Sequence, residues 1–459
     1  MPELFDAIVI GGGQAGPFLA VKLAEAGMKT AMIERSHMGG TCVNNGCMPT
    51  KTMVASARVA HMARRAAEYG VNVGGPVTVD MRVVKARKDK IVETAATGLV
   101  DWVGGTENIE LIWGAARFAG PKIVEVNGRQ LHAPRIFINT GGRPSVPDWP
   151  GLADTPYLTS ETILDLEEVP EHLIVVGGSY IGLEYAQMFR RFGARVTVIE
   201  HGERLVSRED EDVSASIKEI LEGEGIAVHL SARDIGVARH EGGVRLEANV
   251  GGVSMSAEGS HLLVAVGRAP NVEDLDLPAA GIVASERGYI RVDEQLRTNV
   301  EGVWAMGDVT GHPAFTHTSY NDFEIVAANL LDGEARRMSD RIDAYALYID
   351  PPLGRVGMSE AEVRKSGRRA LVGKMPMTRV GRAKEKAETL GFMKIFVDAD
   401  SQLFLGASFL CTEGDEIVHT LIDAMSGRVP YTVIARTMHI HPTVSELIPT
   451  LLQELKPLE

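Results

Sequence analysis

The most reactive chemistry in this sequence is a pair of cysteines separated by four residues, Cys42-Val43-Asn44-Asn45-Gly46-Cys47. The only other thiol is Cys411. A structural zinc ion needs about four ligands, and no histidine stands near the pair. Three cysteines in 459 residues are too few for a disulfide scaffold. Two further readings remain: a dithiol that cycles with its disulfide, or two buried core residues. The pair stands where a helical stretch begins. A helix N-terminus lowers thiol pKa and favours the reactive thiolate, which supports the redox reading. Cys411 follows the apolar run Leu403 to Leu410 and reads as core. Met53, Met62 and Met188 fall on helical stretches and read as packing, so no metal site is expected.

Phosphate chemistry is marked twice. Ala7-Ile8-Val9-Ile10 reads as a strand that runs into Gly11-Gly12-Gly13-Gln14-Ala15-Gly16, then a helix from Phe18 to Gly27, then a strand ending in Glu34. Leu173-Ile174-Val175-Val176 runs likewise into Gly177-Gly178-Ser179-Tyr180-Ile181-Gly182, a helix to Gly193, and a strand ending in Glu200. In both, the acid stands 23 residues after the first glycine (11 to 34, 177 to 200). Glycines let backbone approach a pyrophosphate, and the helix start supplies amide donors and a positive dipole end. The terminal acid can accept from a ribose diol. The second turn departs from the pattern, with Ser179 in place of the middle glycine. Glu200 would meet a 2′-phosphate with like charge, which favours NADH, while Arg204 and Arg208 nearby keep NADPH possible.

These motifs need an α/β frame: two Rossmann-like dinucleotide-binding units and a third, α+β unit. Asn139-Thr140-Gly141-Gly142-Arg143-Pro144 and Val266-Gly267-Arg268-Ala269-Pro270-Asn271 read as crossovers, which places the second unit inside the first. The expected boundaries are 1–145 with 266–344 for the first dinucleotide-binding unit, 146–265 for the second, and 345–459 for the third unit. Net charge is −14, from 47 Lys and Arg against 61 Asp and Glu. No basic stripe suits a nucleic acid; the groups at Arg64-Arg65 and Lys85 to Lys90 read as solvated helix faces. No apolar run reaches the ~18 residues of a membrane span, and the acidic start, Met1 to Asp6, lacks the charged and apolar regions of a secretory signal. A cytoplasmic protein is expected.

The stretch Gly39-Gly40-Thr41-Cys42 through Cys47-Met48-Pro49-Thr50-Lys51 resembles the redox signature of the pyridine nucleotide–disulfide oxidoreductases. The resemblance extends over the chain, through Thr298 to Asp308 and His441-Pro442-Thr443-Val444-Ser445-Glu446. It implies an FAD enzyme that passes electrons from NADH or NADPH to the cysteine pair, and a homodimer acting on a small-molecule disulfide. Cys42 would attack substrate and Cys47 would lie against the flavin. Lys51, paired with Glu184, would sit near flavin N5. Tyr180 would cover the nicotinamide pocket, Asp308 would hold the ribityl chain, and His441, held by Glu446, would be the acid–base group for Cys42. An imidazole oriented by a carboxylate suits that last task near neutral pH. The cofactor-contacting set is then Gly11, Gly13, Gln14, Ala15, Gly16, Glu34, Gly40, Thr41, Lys51, Thr140, Gly141, Gly307, Asp308 and His317, with Gly177, Gly178, Ser179, Tyr180, Ile181, Glu200 and Gly267. His317 and His439 are read as at least lining the site.

Three branches of the family compete. Glutathione reductases carry Ser where Gln14 stands, and Arg where Val21 and Glu200 stand, so the sequence departs from them. Dihydrolipoamide dehydrogenases match at Glu200 and His439 to Thr443. Mercuric reductases match around Gly40 to Asn44 and Val59 to Met62, but end in a cysteine pair where this chain ends Leu451 to Glu459, and they generally lack the acid–base histidine. A soft metal ion is handed inward by thiolates, so the sequence reads as a mercuric reductase-like flavoenzyme that keeps disulfide chemistry. A redox-sensing flavoprotein or diaphorase is the alternative from another class; the His441–Glu446 pair, which only turnover needs, argues against it.

Overall fold

The computed structural model describes residues 1–459. Its first sheet is wholly parallel, in the order Val303–Ala305, Arg135–Ile138, Ala7–Ile10, Thr30–Glu34, Ile109–Trp113. The two central strands are buried at every residue, as expected for parallel strands covered on both faces. Helices α1 (Gly16–Glu25), α2 (Gly40–Asn44), α3 (Cys47–Arg64) and α4 (Met81–Gly104) follow its strands.

The second sheet repeats the design with strands Ala227–His229, Arg195–Ile199, His172–Val176 and His261–Val264, all parallel. Helix α5 (Tyr180–Phe192) follows its glycine turn. Pairing is equivalent in the two units: Ala7 faces Thr30 and His172 faces Arg195, so each strand is offset from its partner by the interval that separates first glycine from acid. The last glycine of each turn admits no side chain. A Cβ on Gly16 would lie 2.1 Å from the Gly11 carbonyl oxygen, and one on Gly182 would lie 2.0 Å from that of Gly177. Helix and strand therefore close on each other at the same point in both units.

The strand Val303–Ala305 belongs to the first sheet although it follows the second in sequence. The two chain crossings pair with each other, Gly142–Pro144 antiparallel to Arg268–Pro270. From Ala344 the chain builds a six-stranded antiparallel sheet that takes in Lys456–Pro457. Cys411 is fully buried in its core, and burial raises its thiol pKa. Met53 and Met188 are likewise core.

In the C-terminal unit two short helices, Gly414–Ile417 and His419–Ser426, follow the strand Phe404–Leu410. One sequence expectation changes. The basic face on α4 is not fully solvated, because Lys88 is buried against Asp89 and Asp165. No helix is long and apolar enough to cross a membrane.

Candidate active site

A cavity of about 1020 Å³ opens between the first glycine turn, the cysteine segment and the start of α5. That is at the upper end of small-molecule sites, about 300–1,000 Å³. At one end the amides of Gly13, Gln14 and Ala15, just ahead of α1, donate to nothing within the chain. They form a cradle for a pyrophosphate at a helix N-terminus. The Gly12 amide donates to Glu34 Oε2 (2.6 Å) and Ser36 N to Glu34 Oε1 (2.8 Å), which aims the carboxylate at the cavity. The Gly16 amide donates to the Asn139 side chain (3.0 Å), whose Nδ2 donates in turn to the Met306 carbonyl (2.9 Å). Asn139 is buried and ties three distant segments together; an unpaired group there would cost about 1–3 kcal/mol.

Asn139 also explains the odd second turn. A Cβ on Gly13 would lie 2.9 Å from Asn139 Oδ1. The position that faces Gly177 as Asn139 faces Gly11 is Ala265, which has no amide to clash, so Ser179 is accommodated.

At the other end lie the thiols. Cys42 sits on α2 and Cys47 is the first residue of α3, so the helix-start argument holds for Cys47 alone. Both are free thiols, the reduced form of the pair. The main influence is mutual. The Cys42 S–H donates to Cys47 and lowers its pKa, with help from Thr316 and Lys51, against a rise from burial. Cys42, as donor and partly buried, is raised. The dithiol therefore carries its negative charge on Cys47, whose sulfur lies 3.2 Å from Thr316 Oγ1.

Lys51, one turn along α3, bonds to Glu184 Oε2 at 2.6 Å. The Tyr348 ring lies 4.6 Å from its ammonium, and the Tyr348 amide donates to Glu184 Oε1 (3.0 Å). Burial opposes the Lys51 charge, but Glu184 and then Cys47 outweigh it and hold the pKa up. This fixes a cation beside the cavity. Asp308 pairs with Arg268 (3.2 Å), which also donates to the Gly142 carbonyl (2.6 Å). The Gly307 amide is held by the buried Asp322 (2.7 Å). His317 bonds through Nε2 to the Ala344 carbonyl (2.7 Å) and stacks on Phe315.

The structure thus gathers Gly11, Gly13, Gln14, Glu34, Gly40, Thr41, Cys42, Cys47, Lys51, Thr140, Gly141, Tyr180, Ile181, Glu184, Asp308 and His317 around one cavity. Ala15, Gly16 and Gly307 stand behind its wall. Gly177, Gly178 and Ser179 form the second turn, Glu200 follows the strand Arg195–Ile199 and Gly267 precedes Arg268–Pro270; none of the five lines this cavity, and Gly178 N and Gly202 N donate to Glu200. Asn139 and Arg268 fall in the two crossovers but carry no site role in the sequence reading, and Thr316 and Tyr348 fall in no motif.

His441 and Glu446 are joined, Nδ1 to Oε2 at 2.8 Å, yet they do not line the cavity. The His441 side chain is 80% exposed. Around it Val433, Met438 and Ile440 are exposed, an apolar surface that a single chain leaves uncovered. His439 is half-buried, does not line the cavity, and donates to the Thr437 carbonyl.

The cradle, the diol acceptor, the fixed cation and the reduced thiol pair together suit FAD. Comparison with known proteins agrees. The pyridine nucleotide-disulphide oxidoreductase model matches residues 5–322, and the dimerisation domain of the same family matches 344–452. The probable pyridine nucleotide-disulfide oxidoreductase RclA of Escherichia coli is 36% identical over 98% of this chain and 99% of its own length. Dihydrolipoyl dehydrogenase of Thermus scotoductus is 32% identical (97% and 96%), and mercuric reductase of Streptomyces lividans 32% (97% and 94%). The solved HOCl-induced flavoprotein disulfide reductase RclA superposes with a TM-score of 0.89 at 35% identity over 98% of this chain and all of that one, and so does its Cu(II) complex, over 98% and 100%. The chain belongs to the pyridine nucleotide-disulphide oxidoreductase family, and is an FAD- and NAD(P)H-dependent flavoprotein oxidoreductase with a dimerisation domain.

Proposed function

We propose that this enzyme uses NADH to reduce a small-molecule disulfide through Cys42 and Cys47, in the cytoplasm, as a homodimer. Residues 1–145 with 266–344 hold FAD, 146–265 the nicotinamide cofactor, and 345–459 the dimer contact. The observation that carries the reading is the cysteine pair itself, Cys42 and Cys47 lining one cavity beside the Lys51–Glu184 ion pair.

Bound FAD supplies two-electron transfer between the nicotinamide and the thiols. The chain does the rest. The amides ahead of α1 and Glu34 bind the dinucleotide, Asp308 orients its middle, and Lys51 holds a positive charge at the reacting end, where charge builds up. Tyr180 covers the nicotinamide pocket until the cofactor enters. Cys42 gives its proton to His441 Nε2 of a second copy and attacks one substrate sulfur. The S–S bond of the substrate breaks, a mixed disulfide forms, and the departing thiolate takes the proton back from His441. Cys47 then attacks the Cys42 sulfur and frees the second substrate thiolate, which takes up a proton from solvent. The Cys42–Cys47 disulfide is restored, two electrons having passed to substrate. Glu446, on Nδ1, leaves Nε2 free for this exchange.

The test is cofactor oxidation by the purified holoenzyme against lipoamide, glutathione disulfide, other low-molecular-weight disulfides and Hg(II). The Cu(II) complex of RclA adds Cu(II) to that panel; no group of three His, Cys, Asp or Glu side chains in this chain could hold a metal ion. Turnover with a disulfide well above that with either metal supports the proposal; turnover with a metal alone overturns it.

Cofactor choice follows from an internal comparison. Glu34 and Glu200 are held by equivalent backbone amides. The ribose of FAD carries no 2′-phosphate, so the shared arrangement is one built for a bare diol. NADH is expected to exceed NADPH in kcat/KM by about tenfold or more, a difference of ~1.4 kcal/mol. Glu200→Ala should narrow the ratio, and an NADPH preference in the native enzyme would show that Arg204 or Arg208 prevails.

Because His441 lies outside the cavity of its own chain, disulfide turnover should need the dimer. Dilution or interface substitution that yields monomers is expected to abolish disulfide reduction while NADH-driven reduction of a quinone persists. Size exclusion run beside both assays checks this; a monomer fully active on disulfide would refute the shared site.

A further inference from the structure

Tyr180 does not stand free at the edge of the cavity. Its hydroxyl donates to Glu209 Oε1 at 2.8 Å, and the Tyr345 hydroxyl donates to the same oxygen at 2.7 Å. The two rings meet edge to face at 5.6 Å, and Phe315 stacks on Tyr345 at 5.3 Å. Glu209 is 2% exposed and lies behind the cavity wall. Its other oxygen accepts no hydrogen bond and stands 4.0 Å from Arg355. The next residue, Asp210, is clamped by Arg355 (3.3 Å) and Lys394 (2.8 Å), both on the C-terminal sheet. Burial first, and then Glu209, raise the pKa of both phenols, so they remain donors.

A buried carboxylate with one oxygen unpaired is a costly way to join two units. Arg355, Lys394 and Asp210 already join them, so Glu209 calls for a reason of its own. Its partners supply one: it fastens the residue read as moving when a nicotinamide enters, and it is itself held by Tyr345 on the C-terminal sheet.

We propose that Glu209 is a positioning residue that latches Tyr180 in its resting place and thereby sets the affinity for the pyridine nucleotide. This rests on the reading of Tyr180 as the cover of the nicotinamide pocket. Opening breaks one charge-assisted hydrogen bond, while Tyr345 keeps Glu209 in place. The apparent affinity falls in proportion to the fraction of molecules that are open. Loss of the latch therefore tightens binding, by about tenfold for a bond of this kind. Damage to a merely structural contact would weaken binding instead.

The experiment measures the NADH Kd of the holoenzyme by stopped flow for Tyr180→Phe, Glu209→Gln, the double variant and Tyr180→Ala. Tyr180→Phe keeps the ring and removes only the latch bond, so it tests the proposal even if Glu209→Gln folds poorly. The expected result is a Kd about tenfold lower in Tyr180→Phe and a smaller fall in Glu209→Gln, which keeps an acceptor and loses only the charge, with the double variant matching Tyr180→Phe. An unchanged or higher Kd in Tyr180→Phe, or single effects that add in the double variant, overturns the latch. Tyr180→Ala separates this from the gate itself. If it shifts the Kd and Tyr180→Phe does not, the gate stands without a latch. If neither shifts it, the gate reading has failed and the latch with it.

Discussion

Cys42→Ser and Cys47→Ser are each expected to abolish disulfide turnover, and to do so with different spectra. In Cys42→Ser the remaining thiol is Cys47, beside Lys51 and Thr316. It can no longer form a disulfide with its neighbour, so the enzyme as purified should show a long-wavelength band from a thiolate against flavin. Cys47→Ser should lack that band in every state. Both variants should still oxidise NADH slowly with a quinone or oxygen, since that path needs no thiol. In the reduced native enzyme the band reports the Cys47 charge. An ordinary thiol is only a few per cent thiolate at pH 7, whereas the Cys42 hydrogen bond brings Cys47 to about 6. The thiolate is the form present above its pKa, so the band should persist at pH 7 and fade as pH falls through about 6. Absorbance titration of the reduced enzyme checks this. Identical spectra for the two serine variants would refute the division of roles.

His441→Ala is expected to lower disulfide turnover by about 10²–10⁴-fold, the usual range for a general acid–base group. Reduction of the enzyme by NADH should stay near the native rate, because the histidine stands outside the cavity of its own chain and no step of that half-reaction uses its proton. Glu446→Gln should be milder. It keeps a hydrogen-bond acceptor on Nδ1 and removes only the charge that supports the imidazolium. Stopped-flow reduction by NADH, followed by reoxidation with substrate, separates the two halves. If the first slows as much as the second, His441 is not the proton carrier for Cys42, and its bond to Glu446 is structural.

The two glycine turns, their acids and the cysteine segment were all legible in the sequence. Each is a short contiguous pattern whose geometry follows from local backbone rules: a turn that only glycine allows, a helix start, and an acid at a strand end. Glu200 and Glu34 lie where that reasoning puts them, and the equal pairing offset of the two sheets follows from the equal spacing in sequence. The family resemblance added Lys51, Glu184, Tyr180, Asp308 and His441, which no spacing in the sequence could have joined. Lys88 was misread because a lysine within a charged helix looks solvated until its neighbours are known. The charge distribution within the thiol pair was also out of reach. The helix-start argument applied to both cysteines alike, whereas the hydrogen bond between them drives their pKa values apart.

By itself, then, the sequence determined the fold class, the two dinucleotide turns, the redox pair and the family, because each depends on residues close together along the chain or on a long specific signature. Only the tertiary structure decided which distant groups complete the site. Asn139 reaches the Gly16 amide across 123 positions, Thr316 reaches Cys47 across 269, and Glu209 meets Tyr345 across 136. Those contacts depend on how sheets and helices stack, and their residue types are as common on any loop or strand end. The tertiary structure also decided that His441 is absent from the cavity of its own chain. In the proposed mechanism its partner thiol comes from a second copy, since the histidine and Glu446 are carried on the surface of the C-terminal unit and Cys42 lines the cavity.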